Sequence, residues 1–502
     1  MADPAVAKKR SGRIGVIDIG SNTVRLVIYE APTRLPFPLF NEKAQCGLGR
    51  SMARTGRLDE RGVEAALHAL GRFVLLAEAT GVDHLELVAT AAVREAEDGP
   101  QFVADVEKRF GVKVDVIDGA EEAQLAARGV LSGVPDADGL LGDLGGGSLD
   151  LVVLEKGDFG RTETFPLGHL RLAEGGRTPA EASQMAAGYL ENEKWLDKIS
   201  GRNLYALGGS WRAVASVILD RLDWPLHVID NFTISPEEVL DRLDFVSRID
   251  PKSWPRSGGI SRRRVGSLPF AASALEMLIR RTQPAQVVFS AFGMREGRML
   301  TCLPDDVRHQ DPLIAGCAGH AERSGRFSLH GEEITAWMEP LFANGNGDVD
   351  ASGVRLRTAA SLLSDISWSV HPDYRDENAF QRVLRLPFAG LSHEDRVELA
   401  LSVFVRYGGD LSSNILSRPM SLLGERESMR AVTVGRALHL AHTLSGGAPG
   451  LLSKTRLRRK RNRVVLYLGK DAALFQSEAV ERRLDRLAKS MDMKPRIVSD
   501  ED

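Results

Sequence analysis

Cysteine is nearly absent. Three occur in 502 residues (Cys46, Cys302 and Cys317), and no two form a CxxC pair. That excludes a disulfide scaffold and a zinc ribbon. Neither sign of charge dominates: 65 Lys and Arg face 68 Asp and Glu, a formal net charge of −3. A bulk-basic nucleic-acid binder of the histone kind is excluded, although a local basic groove is not. No run of about 18 apolar residues occurs, so no membrane span is expected. Residues 1–13 are basic but have no apolar segment behind them, which is not the pattern of a secretory signal. Two common phosphate-binding signatures are missing as well. Neither GxxxxGK followed by Ser or Thr, nor GxGxxG, follows an apolar strand.

What is present suits a folded chain. Hydrophobic residues make up 43% and charged residues 26%, enough apolar side chains for a sizeable core. The length argues for about three domains. The expectation is a soluble, reduced, cytoplasmic, multidomain protein.

Two apolar runs rich in β-branched residues open the chain, Ile14–Gly20 and Val24–Glu30, with Ser21, Asn22 and Thr23 between them as a hairpin turn. The pattern then alternates: a helix near Asp59–Ala79, a strand at Leu85–Ala89, a helix at Gln101–Phe110, a strand at Val112–Ile117, and a helix over Glu121–Leu131. A second hairpin lies in Leu140–Leu154. Strands at Asn203–Leu207 and Val287–Ser290 follow, with a helix after Ser210 and a long one near Leu268–Arg280. This alternation predicts an α/β fold. Beyond Pro304 the chain reads mostly helical, and it ends with a strand at Val464–Gly469 and an amphipathic helix at Glu478–Ser490. The division expected is 1–133 and 134–303 as two α/β halves, with 304–502 as a mostly helical region carrying a small α/β end.

The halves share a motif. Asp18-Ile-Gly-Ser-Asn-Thr-Val-Arg-Leu-Val27 aligns without a gap on Asp143-Leu-Gly-Gly-Gly-Ser-Leu-Asp-Leu-Val152, an offset of 125 residues. Each copy is an apolar strand ending in Asp-x-Gly, a turn of small residues and an alternating strand. Two Gly-rich hairpins can look alike by chance, but an acid at the same turn position in both predicts duplicated halves facing one cleft. Small residues let backbone N–H groups crowd around an anion. Gly145, Gly146, Gly147 and Ser148 supply such a nest, and Gly20, Ser21, Asn22 and Thr23 supply another. Phosphate is the guest that suits them. Phosphate alone would repel Asp18 and Asp143, so a cation is implied between them, and Mg²⁺ fits carboxylate, water and phosphate oxygens better than a soft metal does.

The blocks DIGSNTVRLVIYE, ATAAVREAED, GAEEAQLAARGV, GDLGGGSLDLVVL and LGGSWRAVA, in this order, with GMREG as the last, resemble the exopolyphosphatase / guanosine pentaphosphate phosphatase family over roughly Arg13–Leu303. The resemblance implies duplicated actin-like (ribonuclease H-like) halves around a cleft, followed by an HD-like helical region and a small terminal α/β unit. It places Asp18 and Asp143 with the metal, Mg²⁺ with Mn²⁺ as the alternative. It matches Glu122 to the catalytic glutamate, with Glu121 the alternative, and Arg94 to a phosphate-contacting arginine. Gly208, Gly209 and Ser210 match the segment that meets adenosine in the related kinases, and join the phosphate-binding set here. A cytoplasmic homodimer acting on inorganic polyphosphate is implied, with guanosine pentaphosphate as a second substrate; a kinase or scaffold of the same fold is the remaining reading. No membrane or specific nucleic-acid partner is implied.

Each assignment has a plainer counterpart. Glu122 also suits a helix N-terminus, where the dipole favours an acid, and Arg94 suits a surface ion pair. Seven of the ten residues at 454–463 are basic: Lys454, Arg456, Arg458, Arg459, Lys460, Arg461 and Arg463. They read as an electropositive lane for a polyanion or as a solvated run. Arg256, Arg262, Arg263 and Arg264 form a second basic group. In the helical region Asp365 and His371 are not an adjacent His-Asp pair, so the HD-like part is expected to be metal-free.

Overall fold

A computed structural model describes residues 12–30, 33–35, 37–249, 265–324, 330–343, 351–469 and 472–499. The basic group at Arg256 and Arg262–Arg264 lies outside them. The chain divides between Gln310 and Asp311 into two compact units.

The first unit holds two sheets. Strands β1 (Arg13–Ile19), β2 (Thr23–Tyr29), β3 (Pro38–Gln45), β4 (Val82–Ala89) and β5 (Val114–Val116) form one. The other contains β6 (Asp138–Leu144), β7 (Leu149–Glu155), β8 (Asp158–Phe165), β9 (Asn203–Leu207), β10 (Phe232–Ile234) and β11 (Val287–Phe289). Their orders are β3-β2-β1-β4-β5 and β10-β11-β9-β6-β7-β8. Read from the β3 and β8 edges, the wiring is the same: three antiparallel strands in reverse sequence order, then two parallel ones. The bounds of β1 and β6 differ by the same 125 residues as the sequence repeat. The duplicated α/β halves expected from the repeat are therefore present, in the actin-like form that the family resemblance implied.

Strand alternation decides which way the acids face. In β1, Ile17 and Ile19 enter the core beneath helices α1 (Glu60–Ala79) and, past the short α2 (Ala91–Glu95), α3 (Gly99–Phe110), where Leu70, Phe73 and Phe102 are buried. Each such side chain contributes about 1.5–3 kcal/mol relative to exposure. Ile14 and Val16 point the other way, and Asp18 shares their face. In β6, Leu140 and Leu144 pack under α5 (Pro179–Glu191), α6 (Gly209–Arg221), α7 (Pro236–Ser247) and α8 (Leu268–Thr282), whereas Leu141 and Asp143 face the opposite side.

The helices on those opposite faces are exchanged. Helix α4 (Gly119–Gly133) precedes the second sheet in sequence and packs on it, with Ala123, Ala127 and Val130 against Leu141, Val152 and Leu207. Helix α9 (Met294–Thr301) follows the second sheet and packs on the first, with Met299 and Leu300 against Val16 and Val27. The two helices touch through glycine: a Cβ on Gly297 would lie 1.9 Å from the Leu125 carbonyl oxygen. Any side chain there must push α9 off α4.

The second unit is mostly helical, with α10 (Pro312–Ser324), α11 (His330–Phe342), α12 (Ala351–Leu362), α13 (Arg375–Arg385), α14 (His393–Arg406) and α15 (Glu425–Ser445). Arg396 is buried on α14 and donates to the Leu386 and Phe388 carbonyls at 2.7 and 2.9 Å, which satisfies much of its hydrogen-bonding capacity. The terminal sheet has the order β12-β13-β14, formed by β12 (Arg456–Lys460), β13 (Arg463–Tyr467) and β14 (Lys494–Val498), and the helix before β14 is α16 (Glu478–Ser490). The basic tract is thus partly a strand itself. Asp365 pairs with Arg406 at 2.9 Å, while the exposed His371 lies near Asp373. No helix among the described residues is long and apolar enough to cross a membrane.

Candidate active site

Both motif turns are closed in the same way. Gly20 N–H donates to the Thr23 carbonyl at 3.0 Å, and Gly145 N–H to the Ser148 carbonyl at 2.9 Å. Following loops then hold the turn carbonyls. Cys46 and Gly47 N–H donate to Asn22 O, and Gly49 N–H donates to Ser21 O. In the other copy His169 and Leu170 N–H donate to Gly145 O and Gly146 O.

The third predicted segment meets the second turn. Gly208 has φ 103° and caps α6. A Cβ there would lie 3.0 Å from Asp143 Oδ1 and 2.5 Å from the Leu144 carbonyl, so the approach and the left-handed backbone both require glycine. The Ser210 hydroxyl is buried at 3.2 Å from His169 Nδ1, which itself lies 2.8 Å from Gly145 O. Ser210 therefore meets the turn only through His169, and Gly209 opens the helix beside it.

Glu122 sits in the first turn of α4. Asp118 caps that helix, its carboxylate accepting from Glu121 N–H at 2.8 Å. Arg94, at the end of α2, donates to the Ile117 carbonyl at 2.9 Å and approaches Glu122 Oε2 at 3.4 Å. The neighbouring glutamate faces away. Glu121 lies 3.8 Å from Arg298 and is 47% exposed, against 23% for Glu122. Burial and then the negative charges of Asp150 and Asp143 push the Glu122 carboxyl up to about 8, opposed by Arg94.

The acids influence one another. Asp143 is raised to about 7 by burial and by Asp150, with Arg212 and Arg295 opposing. Asp18 is raised by burial despite its ion pair with Arg295, 3.0 Å away. Asp150 is raised by burial, while hydrogen bonds from Thr164 at 2.7 Å and Ser148 at 3.3 Å work against the shift. Asp18, Asp143, Glu122 and Arg94 thus belong to one electrostatic cluster together with three residues the motifs did not single out: Asp150, Arg212 and Arg295. The signal for Asp150 was an acid inside the apolar run LDLVVL, since a buried carboxylate in a strand needs a reason. Arg212 and Arg295 stood within the quoted blocks LGGSWRAVA and GMREG.

In the second unit Lys454, Arg456, Arg458 and Lys460, with Ser453, Tyr467 and Gly469, line a cavity of about 430 Å³. Period-2 alternation selects this set, because Leu457 is buried between Arg456 and Arg458. Arg459, Arg461 and Arg463 are exposed but do not line it; Arg461 is the left-handed turn residue, φ 48°.

Comparison with known proteins agrees with this geometry. A family model described as the Ppx/GppA phosphatase family matches residues 27–306, and one described as "Exopolyphosphatase, C-terminal" matches residues 319–498. Exopolyphosphatase 1 of Mycobacterium tuberculosis is 32% identical over 142 residues, 28% of this chain and 41% of that protein. The match thus spans about two fifths of the mycobacterial relative. Retrograde regulation protein 2 of Saccharomyces cerevisiae is 24% identical over 441 residues, 79% of this chain and 73% of its own. An exopolyphosphatase structure from Cytophaga hutchinsonii superposes with TM-score 0.52 at 25% identity, covering 58% of this chain and 97% of its own. The Aquifex aeolicus Ppx/GppA family member, at 22% identity and TM-score 0.51, covers the same shares and shares the fold. With one family model spanning more than half of its length and the duplicated acid-bearing hairpins in place, this chain belongs to the Ppx/GppA phosphatase family.

Proposed function

We propose that the chain is an exopolyphosphatase, releasing terminal orthophosphate from inorganic polyphosphate by metal-assisted hydrolysis. The observation that carries this reading is Glu122, half-buried beside Arg94 on the face that bears Asp143 and Asp150, with its carboxyl pushed up to about 8. A carboxylate tuned in that way suits a general base. Ionised Glu122 accepts a proton from a water whose oxygen bonds to the terminal phosphorus, as the anhydride P–O bond breaks and the shortened chain leaves with its electrons. Arg94 donates to non-bridging oxygens. The N–H groups of Ser21, Asn22, Thr23, Gly146, Gly147 and Ser148, with Gly208 and Gly209 at the start of α6, receive the phosphates, while the Gly145 N–H is used in closing its own turn. Charge stabilisation of this kind is the larger part of phosphoryl-transfer catalysis.

The acids fit a hard divalent cation. Asp143 and Glu122, whose proton affinities are raised by burial and then by neighbouring carboxylates, call for a positive charge. Among the described residues their oxygens do not form a three-ligand group within 4.8 Å. That arrangement suits Mg²⁺, which takes one or two carboxylates and completes its shell with water and phosphate; Mn²⁺ shares the preference for oxygen. Asp18 and Asp143 would hold it. When bound, the ion supplies charge cancellation at the phosphoryl oxygens.

Guanosine pentaphosphate is the second substrate reading, because the same chemistry would serve it. The basic cavity favours the polymer, as does the similarity of residues 319–498 to a C-terminal exopolyphosphatase model. We assign the β12 face to polyphosphate binding. A cytoplasmic homodimer belongs to the same proposal, and sedimentation of the purified chain tests the dimer. The deciding assay measures phosphate release from long polyphosphate and from guanosine pentaphosphate side by side, with Mg²⁺, with EDTA, and with Mg²⁺ restored. Higher kcat/KM on polyphosphate, lost in chelator and regained with the metal, is expected. A preference for the nucleotide moves the chain to the second reading, and full activity in EDTA ends the metal-assisted one.

A further inference from the structure

A second cluster of ligand-type side chains lies on the first sheet, apart from the carboxylates assigned to the reaction. His84 and Glu86 are two apart on β4 and so share a face. Cys302 caps the C-terminus of α9, the exchanged helix that packs on this sheet. His84 Nε2 is 2.6 Å from Glu86 Oε1. One nitrogen, one carboxylate oxygen and the Cys302 sulfur all lie within 4.8 Å of one another, the only such group among the described residues.

The glutamate is already oriented. Its other oxygen, Oε2, accepts from Arg298 Nε at 2.9 Å and Nη2 at 2.6 Å, and Arg298 Nη2 also reaches Asp115 at 2.7 Å. Oε1 is thereby fixed toward His84. An outer group that holds the unused oxygen of a ligating carboxylate is a recurrent support of metal centres. Mixed nitrogen, oxygen and sulfur donors favour a borderline metal over Mg²⁺, which prefers oxygen alone.

We propose that His84, Glu86 and Cys302 form a binding site for a borderline divalent cation of the Zn²⁺ type, pinning the end of α9 to β4. Three protein ligands leave a coordination position for water. Binding through the thiolate releases the Cys302 proton. Burial and the Glu86 charge raise the Cys302 thiol pKa, which sets a cost that the metal must overcome.

Titration of the full chain with Co²⁺, in the presence of excess Mg²⁺, tests the site. A thiolate-to-cobalt charge-transfer band, saturating at one ion per chain and displaced by Zn²⁺, is expected. Cys302→Ser should abolish the band, and His84→Ala, at an exposed position, should weaken binding by at least about tenfold. Cys46→Ser and Cys317→Ser should leave it unchanged. Zn²⁺ should also raise the thermal midpoint of the wild type but not of His84→Ala. Absence of the band, or its survival in Cys302→Ser, overturns the proposal. Both readouts are independent of polyphosphate hydrolysis, so this site and the proposed function stand or fall separately.

Discussion

Asp143 and Asp150 are direct partners across the β6–β7 hairpin, at the register where the duplicate hairpin pairs Asp18 with Arg25. One copy sets an arginine opposite its acid; the other sets two acids side by side. Burial first, and then the Asp150 charge that this asymmetry places nearby, raises the proton affinities of Asp143 and Glu122.

The pH profile should report it. Glu122 must be ionised to accept a proton, so kcat/KM at fixed Mg²⁺ should fall as pH drops through the folded value, about 8 in the protein alone. Asp150→Asn removes a negative neighbour and should move this acid limb to lower pH. Arg94→Gln removes a positive one and should move it higher. Profiles of the two variants that shift in the same direction would detach the limb from Glu122.

Exchange of the two adjacent glutamates for glutamine separates their roles. Glu122→Gln keeps shape but cannot take the proton, and should lower kcat by about 10²–10⁴-fold with polyphosphate affinity little changed. Glu121→Gln, on the half-exposed residue beside Arg298, should retain most turnover. The reverse result transfers the base to Glu121.

How much of this was legible beforehand depends on locality. The hairpins, α4 and α6 were readable because their signals are short-range: apolar alternation and small-residue turns. The repeat even foresaw the duplicated wiring. The partners of the acids were not readable in the same way. Arg295 lies 277 residues from Asp18, and only the exchange of α9 onto the first sheet brings them together. The edge strand β12 was hidden for another reason. Its charges mask the alternation that Leu457 alone marks, since charged side chains suit an exposed sheet edge.

That alternation sharpens the test of the basic tract. Neutralising Arg456, Arg458 and Lys460, which share the cavity, should raise KM for long polyphosphate and flatten its dependence on salt, since each lost contact releases fewer counterions. Neutralising Arg459 and Arg461, which do not line the cavity, should do less. Equal effects of the two variants would indicate diffuse charge and not a lane.

Acid should weaken the second unit through its histidines. Burial, with Arg382 and Arg323 nearby, lowers the His320 pKa to about 4; burial, with Arg483, Arg406 and Arg486, lowers that of His439 to about 3. Both values lie below the ordinary one, so the unfolded chain takes up protons that the folded chain refuses. Their contribution is full above about pH 6.5 and is lost as pH falls toward the folded values. Thermal midpoints measured between about pH 7 and pH 5 should drop more steeply for the wild type than for the double variant His320→Gln, His439→Gln. Parallel slopes would show that other groups govern the loss.

The exchange of α4 and α9 also bears on how the chain is made. The first sheet is complete in sequence at Val116, yet the helix that covers its second face is not synthesised until Met294–Thr301. At roughly 5–20 residues per second, that face waits on the order of ten seconds or more on the ribosome. During that interval Val16 and Val27 lack their α9 cover, so the nascent first half presents apolar surface. The order of synthesis makes α9 the closing step for the first sheet.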